Sequence, residues 1–136
     1  MTSSLGKYNI SLLALTYKGF IEMFGVKEID ATALKEMMDN GDNIQLLDVR
    51  SQAEFAQGII EGGEFVPLHT LPLKINDLSK DKKIIIYCRS GARSGQACSY
   101  LAQNTEIEAL NLRGGIISWH QSGFDIVRPD EMQAQG

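Results

Sequence analysis

The segment from Ile84 to Ser94 restricts the possible folds of this chain more than any other segment. It starts with the run Ile-Ile-Ile-Tyr, which is apolar and mostly β-branched. Such a run is typical of a strand that is buried on both faces of a parallel sheet. A loop that contains a glycine follows, and a helical pattern then extends from Ser94 to Gln103. The segment therefore predicts a strand, a tight loop and a helix in that order.

Cys88 is the first residue of this predicted loop, and Arg89 and Arg93 follow it closely. The N-terminus of a helix presents unpaired backbone N–H groups and carries roughly half a positive charge. The N–H groups and the arginine side chains both favour a negative charge on a nearby sulfur. We therefore expect the backbone N–H groups of residues 89–93 to surround the sulfur. The loop would then hold Cys88 as an anionic nucleophile and not as an inert buried thiol.

The rest of the chain alternates between strand patterns and helix patterns. Further strands are predicted over residues 44–49, 65–68 and 107–112. Further helices are predicted from a cap at Asp30 or Thr32 to Asn40, and over residues 51–58, 71–78 and 116–121. Ser51 and Glu54 have the spacing of a capping box at the start of the second of these helices. This alternation predicts an α/β fold with a mainly parallel sheet and helices on both faces. Because ligands bind at the carboxyl ends of strands in such sheets, Cys88 and Asp48 are expected to face the same crevice.

The composition indicates one acidic domain. The chain has 136 residues, of which 43% are hydrophobic, and a formal net charge of -4. The acidic balance argues against a broad nucleic-acid-binding surface, which would be basic. The two cysteines exclude a disulfide scaffold and suit a reducing compartment, and no apolar stretch approaches the roughly 20 residues of a membrane span. We expect a cytoplasmic protein that binds no nucleic acid and does not span a membrane.

Three parts are predicted along the chain. Residues 27–128 carry the strand and helix patterns, and residues 129–136 form a polar tail that is expected to be frayed. Residues 1–26 form an N-terminal extension with partial helical periodicity, which favours a segment packed on the outside of the domain. The alternative role for this extension is a docking surface for a partner or an anchor at a membrane edge.

The spacing around Cys88 separates three chemistries. Thiol-dependent phosphatases bind phosphate in a Cys-x5-Arg loop, whereas here the arginine is Arg93 and the loop is one residue shorter. A Cys-x-x-Cys redox motif would need a cysteine at Gly91. A zinc site needs about four ligands, and the available side chains have no paired spacing: Cys88, Cys98, His69 and His120. The shorter loop suits a persulfide, in which an outer sulfur is attached to the cysteine, better than a tetrahedral oxyanion.

The loop sequence Cys-Arg-Ser-Gly-Ala-Arg resembles the six-residue active loop of the rhodanese family of sulfurtransferases. The resemblance extends from about Ile29 to Val127 and does not cover residues 1–26. The family's first motif is matched by Asp48-Val49-Arg50, Glu54-Phe55 and Gly58, and its last motif by Gly114-Gly115 with Trp119. These motifs occur in the family's order, which implies a single rhodanese-like domain.

The middle motif departs from the family pattern. The family usually has Gly-His-Ile, then Gly-Ala, and then Asn before Val-Pro. This chain instead has Gly58-Ile59-Ile60, Gly62-Gly63 and Phe65-Val66-Pro67. Because these positions are mainly architectural in the family, we expect altered packing beside the site and retained chemistry.

The resemblance implies a sulfurtransferase that needs no cofactor and no metal. It would move sulfane sulfur from a small anionic donor such as thiosulfate, through a Cys88 persulfide, to cyanide, a thiol or a sulfur-carrier protein. The remaining residues of the active loop would bind the substrate: Arg89, Ser90, Gly91, Ala92 and Arg93. Two other functions stay open, a persulfide carrier without turnover and, on a weaker basis, a phosphatase or arsenate reductase.

Supporting roles are expected for residues around the loop. Asp48 and Arg50 are predicted to hold the walls of the crevice by pairing with Glu54 or with loop amides. Ser94 is predicted to cap the helix that follows the loop, and Trp119 is predicted to lie in the core.

Cys98 is predicted to be a buried, unreactive thiol and not a resolving partner for Cys88. The two cysteines are ten residues apart, mostly along a helix that rises about 1.5 Å per residue, so a disulfide is out of reach. Its neighbours Ala97, Leu101 and Ala102 indicate a stripe that faces the core.

Overall fold

A five-stranded parallel sheet forms the centre of the computed structural model, which describes residues 25–130. The strands are β1 (Glu28–Ile29), β2 (Ile44–Asp48), β3 (Glu64–Phe65), β4 (Lys83–Tyr87) and β5 (Ala109–Leu112). Their order across the sheet is β1-β5-β4-β2-β3, and each neighbouring pair is parallel. The strand that leads into Cys88, β4, is therefore the central one.

Five α-helices connect and cover the strands in the described part of the chain. They are α1 (Ala31–Asp39), α2 (Gln52–Gln57), α3 (Leu71–Lys74), α4 (Ala92–Asn104) and α5 (Gly115–Gln121). Short 3-10 turns flank α3 at Leu68–Thr70 and Ile75–Asp77. The predicted α/β class is confirmed.

Both faces of the sheet are buried, because successive residues of a strand point to opposite sides. On one face, Ile84 and Ile86 pack in a cluster with Ala97, Cys98 and Leu101 of α4. On the other face, the side chains of β4 pack with residues of α1 and α5, namely Ile85 and Tyr87 with Leu34, Ile116 and Trp119. The predicted burial of both faces of this strand and the predicted core position of Trp119 are therefore confirmed.

Several element boundaries differ from the predictions. α4 begins at Ala92, two residues before Ser94, and its N-cap is Gly91 in a left-handed conformation with φ 106°. The helix predicted over residues 71–78 divides into α3 and a 3-10 turn. The sequence did not predict β1. This strand has only two residues and is defined by its hydrogen-bonded pairing with β5.

Residues 1–24 and 131–136 lie outside the described residues. The predictions of a packed extension over residues 1–26 and of a frayed tail over residues 129–136 therefore stay predictions. Between Gly25 and Asp130, no helix combines the length and the hydropathy needed to cross a membrane.

Candidate active site

Cys88 directly follows β4, at the edge of the sheet where the carboxyl ends of the parallel strands meet. Asp48 ends the neighbouring strand β2 and lies opposite Tyr87 in the register of the two strands. The two residues thus lie along the same edge of the sheet, but the prediction that they face the same crevice was wrong, because both are buried. Their side chains have different surroundings, since the Asp48 carboxylate is turned to Arg50.

The sulfur of Cys88 has polar neighbours from its own loop and from α4. The amide of Gly91 donates a hydrogen bond to Sγ at 3.0 Å, and the hydroxyl oxygen of Ser94 lies 3.3 Å from Sγ. The sequence predicted a ring of amides over residues 89–93, and the amide of Gly91 is the one that contacts the sulfur. Ser94 is not the helix cap that was predicted, because it lies inside α4 and faces Cys88.

Cys88 is enclosed under the loop. Only 1% of the residue is exposed, whereas Arg89 and Ser90 are exposed. The sequence argued against a buried thiol at this position, and in that respect it was wrong. The polar contacts nevertheless distinguish Cys88 from an inert core cysteine, since a hydrogen-bonded amide at the start of a helix favours negative charge on the sulfur.

The N-terminus of α5 holds the backbone of the loop in place. The amide of Ile116 donates to the carbonyl of Cys88 at 2.9 Å, and the amide of Ile117 donates to the carbonyl of Arg89 at 3.2 Å. Gly115 permits this contact because its φ is 60° and because a Cβ there would lie 2.5 Å from the carbonyl oxygen of Cys88. The sequence identified Gly114-Gly115 only as part of the family's last motif, and the structure shows that this pair positions the cysteine loop.

Arg93 is held by a carboxylate from α2. Its guanidinium donates from Nη1 and Nη2 to the two carboxylate oxygens of Glu54 at 2.7 and 2.8 Å. Glu54 also forms the predicted capping box with Ser51, in which the Ser51 amide donates to Oε1 at 3.1 Å. The hydrogen bonds from Arg93, together with the capping contacts, lower the pKa of Glu54 to about 2. Glu54 therefore remains ionised at neutral pH and offsets the charge of Arg93.

Asp48 and Arg50 form a buried ion pair that supports the crevice. Both the Arg50 amide and its guanidinium donate to the Asp48 carboxylate, with Nη2 at 2.7 Å from Oδ2. Arg50 also donates to the carbonyl of Gly58 at 2.6 Å, and its Cζ lies 5.7 Å from the ring centroid of Tyr87. A structural role was predicted, but the predicted partners were wrong, because Arg50 pairs with Asp48 while Glu54 pairs with Arg93.

The departure in the middle motif has a packing reason. Gly63 stands where the family has alanine, and a Cβ there would lie 2.6 Å from the hydroxyl oxygen of Tyr87. That hydroxyl accepts a hydrogen bond from the amide of Ile60 at 3.1 Å. Tyr87 thus fills the space of the missing methyl group, one residue before Cys88.

The sequence did not identify two residues that lie behind Ser94. The hydroxyl of Ser94 makes a short hydrogen bond to Oδ1 of Asn111 on β5. Nδ2 of Asn111 donates to a carboxylate oxygen of Glu28 at 3.0 Å and to the carbonyl of Gly91 at 3.2 Å. Glu28 and Asn111 are 83 residues apart, so no local pattern could have connected them.

Cys98 lies in the core, as predicted. It is buried in the same cluster as Ala97 and Leu101, and burial raises the pKa of its thiol to about 12. Both cysteines are free. The predicted stripe was wrong at Ala102, which is exposed.

A crevice of about 670 Å³ lies beside Arg93, on the side of β2 and β3. It is lined by residues that follow these strands and by Arg93 itself: Val49, Arg50, Ser51, Gln52, Phe65, Pro67, Leu68, His69 and Arg93. Arg89 is exposed and makes no ion pair with any residue between Gly25 and Asp130. An anion that approaches the loop therefore meets Arg89 as an uncompensated charge and Arg93 as a charge offset by Glu54.

A cysteine loop between the central parallel strand and a helix defines an α/β domain of the rhodanese-like class. A model of the rhodanese-like domain family matches residues 30–122, and the chain belongs to that family. A sulfurtransferase from Allochromatium vinosum is 45% identical over 105 residues, which cover 77% of this chain and 98% of that protein.

Solved structures have the same fold. A rhodanese-related protein from Thermoplasma volcanium is 32% identical, with a TM-score of 0.68, and the match covers 74% of this chain and 97% of that one. A rhodanese-like domain protein from Staphylococcus aureus is 33% identical, with a TM-score of 0.65, and the match covers 69% of this chain and 91% of that one.

Proposed function

We propose that this protein is a sulfurtransferase that carries sulfane sulfur as a persulfide on Cys88. The observation on which this proposal depends is the hydrogen bond from the Gly91 amide to Sγ, at the start of a 13-residue helix. That geometry favours an anionic sulfur with its charge directed into the loop. The similarity to a protein named sulfurtransferase supports the same class of reaction.

The first step loads the cysteine. The thiolate of Cys88 attacks the outer sulfur of a donor such as thiosulfate and forms an S–S bond. The S–S bond within thiosulfate breaks, and sulfite leaves with the bonding electron pair. Cys88 then carries the outer sulfur as a persulfide anion, and the covalent intermediate divides the transfer into two easier steps.

The second step unloads the cysteine. An acceptor nucleophile, either cyanide or a thiol, attacks the outer sulfur and takes it, and the bonding pair returns to Sγ as the Cys88 thiolate. The acceptor in the cell is proposed to be a small thiol or a sulfur-carrier protein. Both cysteines of the chain are free, which suits the reducing cytoplasm in which we place the reaction.

The residues of the active loop have different proposed roles. Arg89 attracts the anionic donor, because it is exposed and unpaired within the described residues. Arg93 is fixed by Glu54 and stabilises charge as sulfite leaves. The small residues Ser90, Gly91 and Ala92 leave room for an outer sulfur. Because Cys88 is enclosed, the loop has to open at Arg89 and Ser90 before the donor reaches Sγ.

Intact-mass measurement tests the proposal. After incubation with thiosulfate, the protein is expected to gain the mass of one sulfur atom and to lose it when cyanide is added. Cys88→Ser should abolish both loading and turnover, whereas Cys98→Ala, the matched change at a buried thiol outside the loop, should retain them. Sulfur transfer by Cys88→Ser at the normal rate would refute the mechanism. Loading without turnover would identify a carrier, and hydrolysis of an aryl phosphate without loading would identify a phosphatase.

A further inference from the structure

A large groove lies where strands β4 and β5 begin, at the edge of the sheet opposite the one that carries Cys88. Its volume is about 890 Å³, near the upper end of the roughly 300–1,000 Å³ of ordinary ligand pockets. The floor of the groove is apolar and continues the core cluster on the α4 side of the sheet: Ile75, Leu78, Ile84 and Ile107. The groove therefore has room for several apolar side chains.

Charged side chains of both signs stand at the rim of the groove. Lys80 and Lys82 line it from the connection that precedes β4. Glu106 and Glu108 line it from the connection that precedes β5. Neither lysine forms an ion pair with another described residue, and the same holds for Glu106. A rim of mixed charge does not select a ligand of one sign, so an occupant has to gain its affinity from the apolar floor.

The chain enters the domain beside this groove. Because β1 and β5 are parallel, β1 begins at the edge of the sheet where β5 begins. The ammonium group of Lys27 contacts the carboxylate of Glu108 at 3.1 Å, and Val26 packs against the same core cluster as Ile107. The 24 residues that precede Gly25 are therefore attached next to the groove.

The sequence of this attached segment has an apolar face. Four apolar residues recur at the intervals of one side of a helix, namely i, i+7, i+8 and i+11: Leu13, Phe20, Ile21 and Phe24. Lys18 and Glu22 fall on the other side of such a helix. A short tether gives the segment a roughly millimolar effective concentration at the groove, an advantage that a separate partner does not have.

We propose that residues 13–24 dock in this groove and cover its apolar floor with their own apolar face. The occupant is thus a segment of the same chain, and this side of the domain is an internal interface. The groove lies at the far end of β4 from Cys88, so the docked segment leaves the active loop uncovered. The proposal is independent of sulfur transfer.

Hydrogen exchange of the full-length protein tests the docking. The amide of Leu78 donates to the carbonyl of Ile75 at 3.2 Å, and the amide of Ile107 donates to Oγ1 of Thr105 at 3.0 Å. All four residues line the groove, so a docked segment should slow exchange at both amides. Exchange is read by mass spectrometry on peptides that cover residues 75–80 and 105–109.

Two leucines of the segment provide a matched pair of variants. Leu13→Asp places a charge on the docking face and should speed exchange in both groove peptides about tenfold, because burying a leucine is worth at least about that factor. Leu15 lies on the opposite side of the same helical pattern, so Leu15→Asp should keep the exchange rates of the unmodified protein. Unchanged exchange in Leu13→Asp, or equal acceleration by both variants, would overturn the proposal.

Chemical cross-linking gives a second readout in a Cys88→Ser and Cys98→Ala background. Ala14→Cys is combined either with Glu106→Cys at the rim of the groove or with Glu36→Cys, an exposed site on α1 across the sheet. An extended tether of the 11 residues between positions 14 and 25 could span roughly 36–40 Å, so a free segment would reach both sites.

The docked segment should distinguish the two sites. A short bifunctional maleimide is expected to join Ala14→Cys to Glu106→Cys within one chain, in at least about fivefold higher yield than to Glu36→Cys. Equal yields at the two sites would show that the segment is not held in the groove. A link that forms mainly between two chains would assign the groove to a second copy. Either result would overturn the proposal.

Discussion

Replacing Gly115 with alanine tests how the loop around Cys88 is held. The backbone of Gly115 has φ 60°, and a Cβ there would lie 2.5 Å from the carbonyl oxygen of Cys88, whereas real Cβ contacts stay above 3.0 Å. The carbonyl of Cys88 therefore has to move by at least about 0.5 Å, and Cys88 is the nucleophile. This movement strains the hydrogen bonds that the amides of Ile116 and Ile117 donate to the loop.

The expected cost has two parts. The left-handed backbone costs an alanine about 1–2 kcal/mol. Two weakened backbone hydrogen bonds add about 1 kcal/mol each. We therefore expect Gly115→Ala to lower the free energy of unfolding by about 3–4 kcal/mol. Because the displaced group carries the nucleophile, the rate of sulfur transfer should fall by about 10–100-fold.

Gly41→Ala separates the two parts of the cost. Gly41 has φ 72°, and a Cβ there would meet nothing within 4 Å. It precedes β2 and so lies near the edge of the sheet opposite Cys88. This variant should lose only the backbone term of about 1–2 kcal/mol and retain full activity. Urea unfolding gives the stability of both variants, and thiosulfate turnover gives their activity. Equal losses of stability and of activity in Gly115→Ala and Gly41→Ala would refute the clash with the loop.

Three further predictions concern charges and thiols. Glu54→Gln should lower the free energy of unfolding by about 0.5 kcal/mol at neutral pH, because its pair with Arg93 is partly exposed. The folded protein lowers the pKa of Glu54 to about 2, so this difference in stability should persist above about pH 4.5 and vanish as the pH falls toward 2. Urea unfolding at several pH values measures it, and a difference that stays constant down to pH 2 would contradict the ion pair of Glu54 with Arg93. Asp48→Asn leaves the buried Arg50 cation without its charge partner and should cost about 3–5 kcal/mol in urea unfolding, so a loss below about 1 kcal/mol would be inconsistent with a buried ion pair. Cys98 should not react with maleimide at pH 8 in the folded protein, because burial raises the pKa of its thiol to about 12, and it should react in urea. Intact mass measures the labelling, and rapid labelling of Cys98 in the folded protein would show that the thiol is accessible.

Local features of the fold were predictable because they depend on neighbours in sequence. The cap at Asp30, the capping box of Ser51 and Glu54, and the apolar run of β4 each occur where the sequence placed them. Errors arose at element boundaries. α4 begins at Ala92, because Gly91 readily adopts the left-handed backbone of its N-cap, and Ser94 is therefore left inside the helix.

The sequence alone determined that a cysteine follows a buried parallel strand and precedes a helix, because periodicity and turn chemistry act over a few residues. Only the tertiary structure decided which groups meet around that cysteine. Glu54 contacts Arg93 across 39 residues of sequence, and Asn111 contacts Glu28 across 83. Such pairs form when the sheet order brings distant strands and helices together, and that order is a property of the whole packed core.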